Sequence, residues 1–284
     1  MDIAEIMNPK FFTISQDQPV SEAVDLIRKS NVGGLVVLDE RGGLAGIVTL
    51  RDLCGVSTGS SVSETLFKKP TVICPETSIW EAEKIMSAAK VDRLPVVAGD
   101  ILIGIVTKMD LLITIARHTD SLTGLYTAAY LRDTARRLLY TENEISIIFI
   151  DIDDFGFINK RIGHSEGDRC LCVIGNLLRR HGDFVRNFPC RFGGDEFALV
   201  STCSLSEALA WSYGFRRAVE NACKSVAITV SIGIAGGRRQ KSRAGINPEE
   251  IIESLINLAS LASTNAKSTD SGIMIADNNA TLQN

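Results

Sequence analysis

The stretch Arg191-Phe192-Gly193-Gly194-Asp195-Glu196-Phe197-Ala198-Leu199-Val200 reads as two strands around a tight Gly-Gly turn. Paired glycines allow positive φ and close backbone approach, and they leave Asp195 and Glu196 at the hairpin tip. Upstream, Glu144 to Ile150 is a short apolar run bounded by charge, which predicts a strand central in a sheet. Asp151, Asp153 and Asp154 follow at once, a crowding of like charge that calls for a cation or good solvation. If the hairpin pairs beside this strand, Asp151 and Asp195 converge. Two carboxylates with a free backbone carbonyl suit Mg²⁺, which takes a few carboxylates plus substrate phosphate oxygens. Nucleotidyl or phosphoryl transfer is the chemistry such a set serves, because there the protein mainly positions and neutralises. Taken alone, Asp-Glu after Gly-Gly also suits a solvated hairpin tip.

Working outward, Gly163-His164-Ser165-Glu166-Gly167-Asp168 follows a loop and opens a helix with Leu171, Ile174, Leu177 and Leu178 on its apolar face. Asp120-Ser121-Leu122-Thr123-Gly124-Leu125 reads as a turn entering an amphipathic helix through about Leu139. Before it, Met109, Leu111, Leu112 and Ile115 predict a helix running from Lys108 toward His118 with no Gly-, Pro- or Ser-rich spacer. A short stiff joint of this kind transmits rotation or separation better than a floppy linker.

The first part of the chain repeats itself. Residues from about Met7 to Leu53 answer those from about Lys69 to Leu112, at an offset of about sixty positions. Val20-Ser21-Glu22-Ala23 with Leu26-Ile27 matches Ile79-Trp80-Glu81-Ala82 with Ile85-Met86, an amphipathic helix in each copy. Strands follow, Leu35-Val36-Val37-Leu38 and Leu94-Pro95-Val96-Val97, and then Gly46-Ile47-Val48-Thr49-Leu50-Arg51-Asp52 and Gly104-Ile105-Val106-Thr107-Lys108-Met109-Asp110. In each copy a buried strand ends at a Thr suited to cap a helix, with an Asp in the first turn suited to the positive helix end.

At 284 residues the chain fits two ordinary domains. A net charge of −4 gives no general attraction to nucleic acid or to anionic lipid. The seven cysteines are scattered and no secretory leader precedes them, which predicts reduced thiols in a cytoplasmic protein. Cys170 and Cys172 fall on different faces of one helix, a poor metal clamp, and no apolar stretch approaches the ~20 residues of a membrane span.

Residues 1 to 115 resemble a tandem pair of CBS domains, βαββα repeats of the α/β class. The resemblance implies an adenine nucleotide (ATP, ADP or AMP) in the cleft between repeats, with Thr49 and Asp52 and likewise Thr107 and Asp110 on its ribose hydroxyls. Arg93 stands where such pairs put a cation for the phosphates, whereas the first copy has Gly34, so one site is better equipped than the other. A surface charge at Arg93, and a CBS pair serving only for dimerisation, are the competing readings.

From about residue 119 to 276, Asp120-x-Leu122-Thr123-Gly124-Leu125, Asp151-Ile152-Asp153, Ile158-Asn159, Gly163-His164-x-x-Gly167-Asp168, the Gly-Gly-Asp-Glu-Phe hairpin and Thr229-Val230-Ser231-Ile232-Gly233 resemble GGDEF domains in order and spacing. This implies an α+β, palm-like fold and condensation of two GTP into cyclic di-GMP with release of pyrophosphate. Carried over, Asp151, Asp195 and the Ile152 carbonyl hold Mg²⁺ or Mn²⁺, while Glu196 is a further metal contact or helps deprotonate the attacking hydroxyl. Asn159 and Asp168 read guanine, with Phe155, Gly193 and Gly194 lining the substrate and Lys267 on phosphate. An amide plus a carboxylate suits guanine physically, since the carboxylate accepts from N1 and N2 hydrogens that adenine lacks. The expected arrangement is a CBS pair over 1–116 (about 1–58 and 59–116) regulating a catalytic domain over 117–284, working as a homodimer.

Four places in the sequence depart from the family pattern. Gly156 replaces a lysine, Ser271 an arginine, and Thr127-Ala128 an Asn-Arg pair. Phe184-Val185-Arg186-Asn187 replaces the inhibitory Arg-x-x-Asp, which predicts weak product inhibition. Weaker GTP binding is the expected consequence of the missing cations, unless Lys160 or Arg161 substitutes.

Overall fold

In the computed structural model the described residues are 1–65, 69–140, 144–182, 186–236 and 247–276. The chain divides into two compact units, Met1–Ala116 and a second beginning at Arg117. Among the described residues no helix is long and apolar enough to cross a membrane.

The first unit holds the two repeats. The first consists of β1 (Thr13–Ser15), α1 (Val20–Ser30), β2 (Leu35–Leu38), β3 (Leu44–Val48) and α2 (Leu50–Leu53). The second consists of α3 (Ile79–Ala89), β4 (Arg93–Ala98), β5 (Ile101–Thr107) and α4 (Lys108–Arg117). β1 runs parallel to β2, which pairs antiparallel with β3. In the second repeat β4 and β5 pair antiparallel, and an isolated parallel bridge from Ile73 to Val96 stands where the first repeat has β1. The copies exchange their entry segments. Ile3, fully buried, donates its N–H to Thr77 O at 2.8 Å in the second repeat, and Val62, equally buried, donates to Gln18 O at 2.9 Å in the first.

The second unit contains β6 (Tyr126–Thr127), α5 (Ala128–Tyr140), β7 (Ser146–Ile152), α6 (Phe155–Ile162), α7 (His164–His181), β8 (Asn187–Arg191), β9 (Glu196–Ser201), α8 (Leu205–Ala222), β10 (Val230–Gly236), α9 (Pro248–Ala266) and β11 (Ile273–Ile275). Its sheet runs β11-β10-β7-β9-β8-β6, antiparallel at the centre, with parallel pairs at both edges. The continuous apolar run of β7 is explained by burial on both sides. Ile148, Ile150 and Ile152 pack with Leu171, Ile174 and Leu178 of α7 and Phe215 and Val219 of α8. Ile147 and Phe149 are as deeply buried on the opposite face, which α9 and α5 cover. Each such side chain contributes about 1.5–3 kcal/mol of burial, so a strand apolar on both faces belongs at the centre of the sheet.

Two local readings are corrected. Phe155 to Ile162, expected as a loop, is the helix α6, whose Phe155, Ile158 and Ile162 recur at helical spacing on the α7–α8 core. Gly193 and Gly194, expected to supply positive φ, are not among the residues with left-handed backbone. What Gly193 supplies is space, because a Cβ there would stand 3.0 Å from the Glu196 carboxylate, while one on Gly194 would meet nothing within 4 Å.

Candidate functional site

β7 delivers Asp151 to the end of the sheet between two partners, paired with Glu196 on β9 and with Ser231 on β10. Residues 45 positions apart in sequence, Asp151 and Glu196, thus become cross-strand neighbours. Lys267, at the C-cap of α9, brings its Nζ to 2.6 Å from Asp151 Oδ1. It gets there because Gly233 lets α9 lie on the bare backbone of β10, where a Cβ would collide with Ala259 O and Ser263 N. Asp153 is held from β10 by two hydroxyls, Thr229 Oγ1 at 2.6 Å and Ser231 Oγ at 2.7 Å, and its N–H donates to Thr229 O at 3.1 Å. Together with the Lys267–Asp151 pair, these bonds hold the chain on either side of Ile152.

The charged groups bear on one another's protonation. Burial pushes the Asp151 carboxyl above its ordinary range, and Asp195 and Asp153 push the same way, against the pull of Lys267. Glu196 is raised first by burial, then by Asp151 and Asp195. Burial works against the Lys267 ammonium, but Asp151, Asp153 and Asp195 outweigh it and raise its affinity for the proton. Among the described residues no group of three His, Cys, Asp or Glu side chains forms a ready metal cage. The donors present, carboxylates of Asp151 and Asp195 with the Ile152 carbonyl, fit Mg²⁺ in the way that ion is usually held, with the remaining ligands from water and phosphate.

The hairpin tip has a tether that sequence reasoning missed. Arg191 donates to both oxygens of Asp120, at 2.9 and 3.0 Å, and also, from Nη2, to the Gly194 carbonyl at 2.6 Å. Asp120 in turn accepts from the N–H and hydroxyl of Thr123 at 2.8 and 2.6 Å. Burial alone would raise the Asp120 carboxyl, but the bonds from Thr123 and Arg191 outweigh it and hold the carboxyl below the ordinary range. The Asp120-x-x-Thr123 turn therefore fixes the Gly-Gly loop, a link visible in sequence only as two motifs 71 positions apart.

Asn159 lies on α6 with its Oδ1 buried and without a hydrogen-bond partner. Gly167 makes room for it, since a Cβ at Gly167 would run into that oxygen. Asp168, the next residue, is exposed on α7, and Phe155 packs on the core with its ring beside Gly167. Of the positions lacking family cations, Gly156 faces open space. Arg161 is turned to the Val226 carbonyl at 3.2 Å, whereas Lys160 is exposed. The Ser271 carbonyl accepts from Arg216 of α8, which puts a guanidinium beside this position from another element. Phe184 and Val185 lie outside the described residues; Arg186 pairs with Glu207 at 3.0 Å and Asn187 is buried in β8.

In the first unit, Asp52 Oδ2 accepts from the Thr49 N–H at 2.8 Å and hydroxyl at 2.7 Å. Asp110 Oδ2 does the same for Thr107, at 3.2 and 2.6 Å. The helix-capping role is therefore present in both copies, and in each it uses Oδ2 of the carboxylate. A cavity of about 580 Å³ is lined by Thr49, Asp52, Lys69, Lys90 and Arg93, so Arg93 shares a cavity with the Thr and Asp of the other repeat.

Residues 117–271 match the family described as diguanylate cyclase, GGDEF domain, and residues 3–59 and 62–117 each match the CBS domain. The chain belongs to the GGDEF family and carries a tandem CBS pair ahead of its GGDEF domain. Protein YhcK of Bacillus subtilis is 33% identical over 132 residues, which are 42% of this chain and 36% of that protein. Diguanylate cyclase DgcP of Escherichia coli is 38% identical over 91 residues, 30% of this chain and 26% of that protein. The chain thus spans well under half the length of either relative. The coiled coil and GGDEF domain of DgcB from Caulobacter crescentus, solved in complex with c-di-GMP, aligns with a TM-score of 0.49 at 22% identity, covering 58% of this chain and 88% of that one.

Proposed function

We propose that the chain is a cytoplasmic diguanylate cyclase whose second unit joins two GTP into cyclic di-GMP and whose first unit, the CBS pair, regulates it by binding an adenine nucleotide. The observation that carries this reading is the convergence of Asp151, Asp195, Glu196 and Lys267 at one end of the sheet. Asp151, Asp195 and the Ile152 carbonyl would hold Mg²⁺ or Mn²⁺, which when bound neutralises charge on the triphosphate. Asn159 and Asp168 would read guanine, and the unpaired Asn159 oxygen is suited to a base N–H. Lys267, released from Asp151, would meet phosphate. Glu196, paired across the strands with Asp151, would be a further metal contact or take the proton of the attacking 3′-hydroxyl. Two chains face each other, each with one GTP. Each 3′-oxygen forms a bond to the α-phosphorus of the opposite GTP, the bond to the β-phosphate bridge breaks, and pyrophosphate leaves from each.

The open space at Gly156 and the diversion of Arg161 support a second reading, in which this unit binds GTP without turning it over. Release of cyclic di-GMP and pyrophosphate from GTP with Mg²⁺ or Mn²⁺, measured beside equilibrium GTP binding, separates the two. Under the first reading Asp195→Asn abolishes turnover while the fold is kept, as read by circular dichroism; synthesis near the wild-type rate would falsify the assigned metal role.

A further inference from the structure

The guanidinium of Arg132 stands where three elements of the second unit meet, and neither the core nor the proposed chemistry accounts for it. It leaves α5 and donates from Nε and Nη2 to the two carboxylate oxygens of Glu253 on α9, at 2.6 and 3.2 Å. The two side chains are 43% and 48% exposed, and an ion pair in that much water adds little to stability. A second contact gives the pair a use. The same guanidinium lies over the ring of Phe192, 5.4 Å from its centroid. A cation over an aromatic face is attracted by the ring quadrupole, and a planar guanidinium fixed by a carboxylate fork holds that position.

Phe192 is the residue before the Gly-Gly turn. Its N–H donates to Glu196 O at 2.9 Å, and the N–H of Gly193 donates to the same oxygen at 3.2 Å, so the hairpin tip begins there. Its ring also packs edge-on with Phe149 of β7, with centroids 5.0 Å apart. Phe149 precedes Asp151 by two residues, which puts both on one face of that strand. The ring thus touches the strand that carries Asp151 and is covered by Arg132. Whereas Arg191 secures the tip through the Gly194 carbonyl, Arg132 secures it through a side chain. Resting on the reading that Asp151 and Asp195 hold a divalent cation, we infer that Arg132 is a positioning residue of the metal site. Through Phe192 it keeps the hairpin seated on β7, so that Asp195 stays within reach of Asp151. Glu253 orients it from α9, the element that also brings Lys267.

Two measurements on the whole chain test this: amide hydrogen exchange, and titration with Mn²⁺ alone followed by electron paramagnetic resonance. In Arg132→Gln the amides of Phe192 and Gly193 exchange about three- to tenfold faster, as the loss of a cation–π contact predicts, while those of α8 keep their rates. Affinity for Mn²⁺ falls by a similar factor. Arg132→Lys keeps the cation without the fork, and Glu253→Gln keeps the guanidinium without its anchor, so each gives a smaller change. Phe192→Leu loses as much Mn²⁺ affinity as Arg132→Gln, and adding Arg132→Gln to it costs nothing further, because the two act as one contact. Additive losses, or faster exchange spread over the second unit together with a lower unfolding midpoint, mark a merely structural ion pair and overturn the inference. Faster exchange at Phe192 and Gly193 with unchanged Mn²⁺ affinity overturns it while leaving the metal reading in place. No Mn²⁺ bound by the wild-type chain overturns the metal reading, and the inference with it.

Discussion

Gly156 allows the strength of the proposed GTP site to be tested at a single residue without altering its frame. It occupies the first turn of α6 with ordinary backbone and nothing within 4 Å of where a side chain would begin. Gly156→Lys therefore fits without strain and gains helix propensity of about 1 kcal/mol. We expect it to lower the KM for GTP about fivefold or more by adding a charge-assisted phosphate contact. Gly156→Ala should share the stability gain and leave KM unchanged, so steady-state kinetics of the two variants isolates the charge. Asp120 acts differently, through geometry. Its depressed folded-state pKa contributes stability that is present above the unfolded pKa and lost as pH falls through the folded value. Asp120→Asn should cost about 1–3 kcal/mol at neutral pH, where a charge-assisted pair with the part-buried Arg191 is lost. That difference from wild type should shrink as pH drops below the ordinary carboxylate range, a trend that urea titrations at several pH values will read.

Among elements, the contact of α9 with β10 governs whether Lys267 reaches Asp151. The helix sits on Gly233 with backbone atoms of Ala259, Ala262 and Ser263 where a Cβ would be. Gly233→Ala must push α9 away from the sheet. The expected penalty is about 1–3 kcal/mol from overpacking, measurable by denaturant unfolding. Because the displaced element carries Lys267, loss of GTP affinity should accompany it, and at temperatures well below the unfolding midpoint. A fall in stability with unchanged KM would show that the reach of Lys267 does not depend on this contact. The cross-strand pairing of Asp151 with Glu196 depends instead on β7 and β9, so it should survive the substitution.

At the scale of the molecule, the proposed cyclase needs two chains and a regulator with different affinity for two arrangements of them. Turnover per chain should fall on dilution below the dimer dissociation constant, and coupled pyrophosphate assays across a concentration series will show whether it does. An adenine nucleotide can shift the rate only by its differential affinity, so about 1–3 kcal/mol, or roughly five- to 150-fold, bounds the effect. The tandem repeat, the βαββα order, the central apolar strand and the family were legible in the sequence because each is a local pattern: period, capping residue, motif spacing. So were the chemical types at Asp151, Asp195, Asn159 and Lys267. The helix at Phe155–Ile162 was missed because a short segment beginning after a left-handed Asp154 carries few periodic positions. What only the tertiary structure decided is which distant residues meet. Arg191 joins Asp120 to the hairpin, Arg216 reaches Ser271, Arg93 lines one cavity with Thr49 and Asp52 of the other repeat, and bare glycine backbone admits α9. Such meetings are set by packing distances between elements, where a missing Cβ or a long guanidinium decides the contact, and no spacing along one strand or helix encodes that distance.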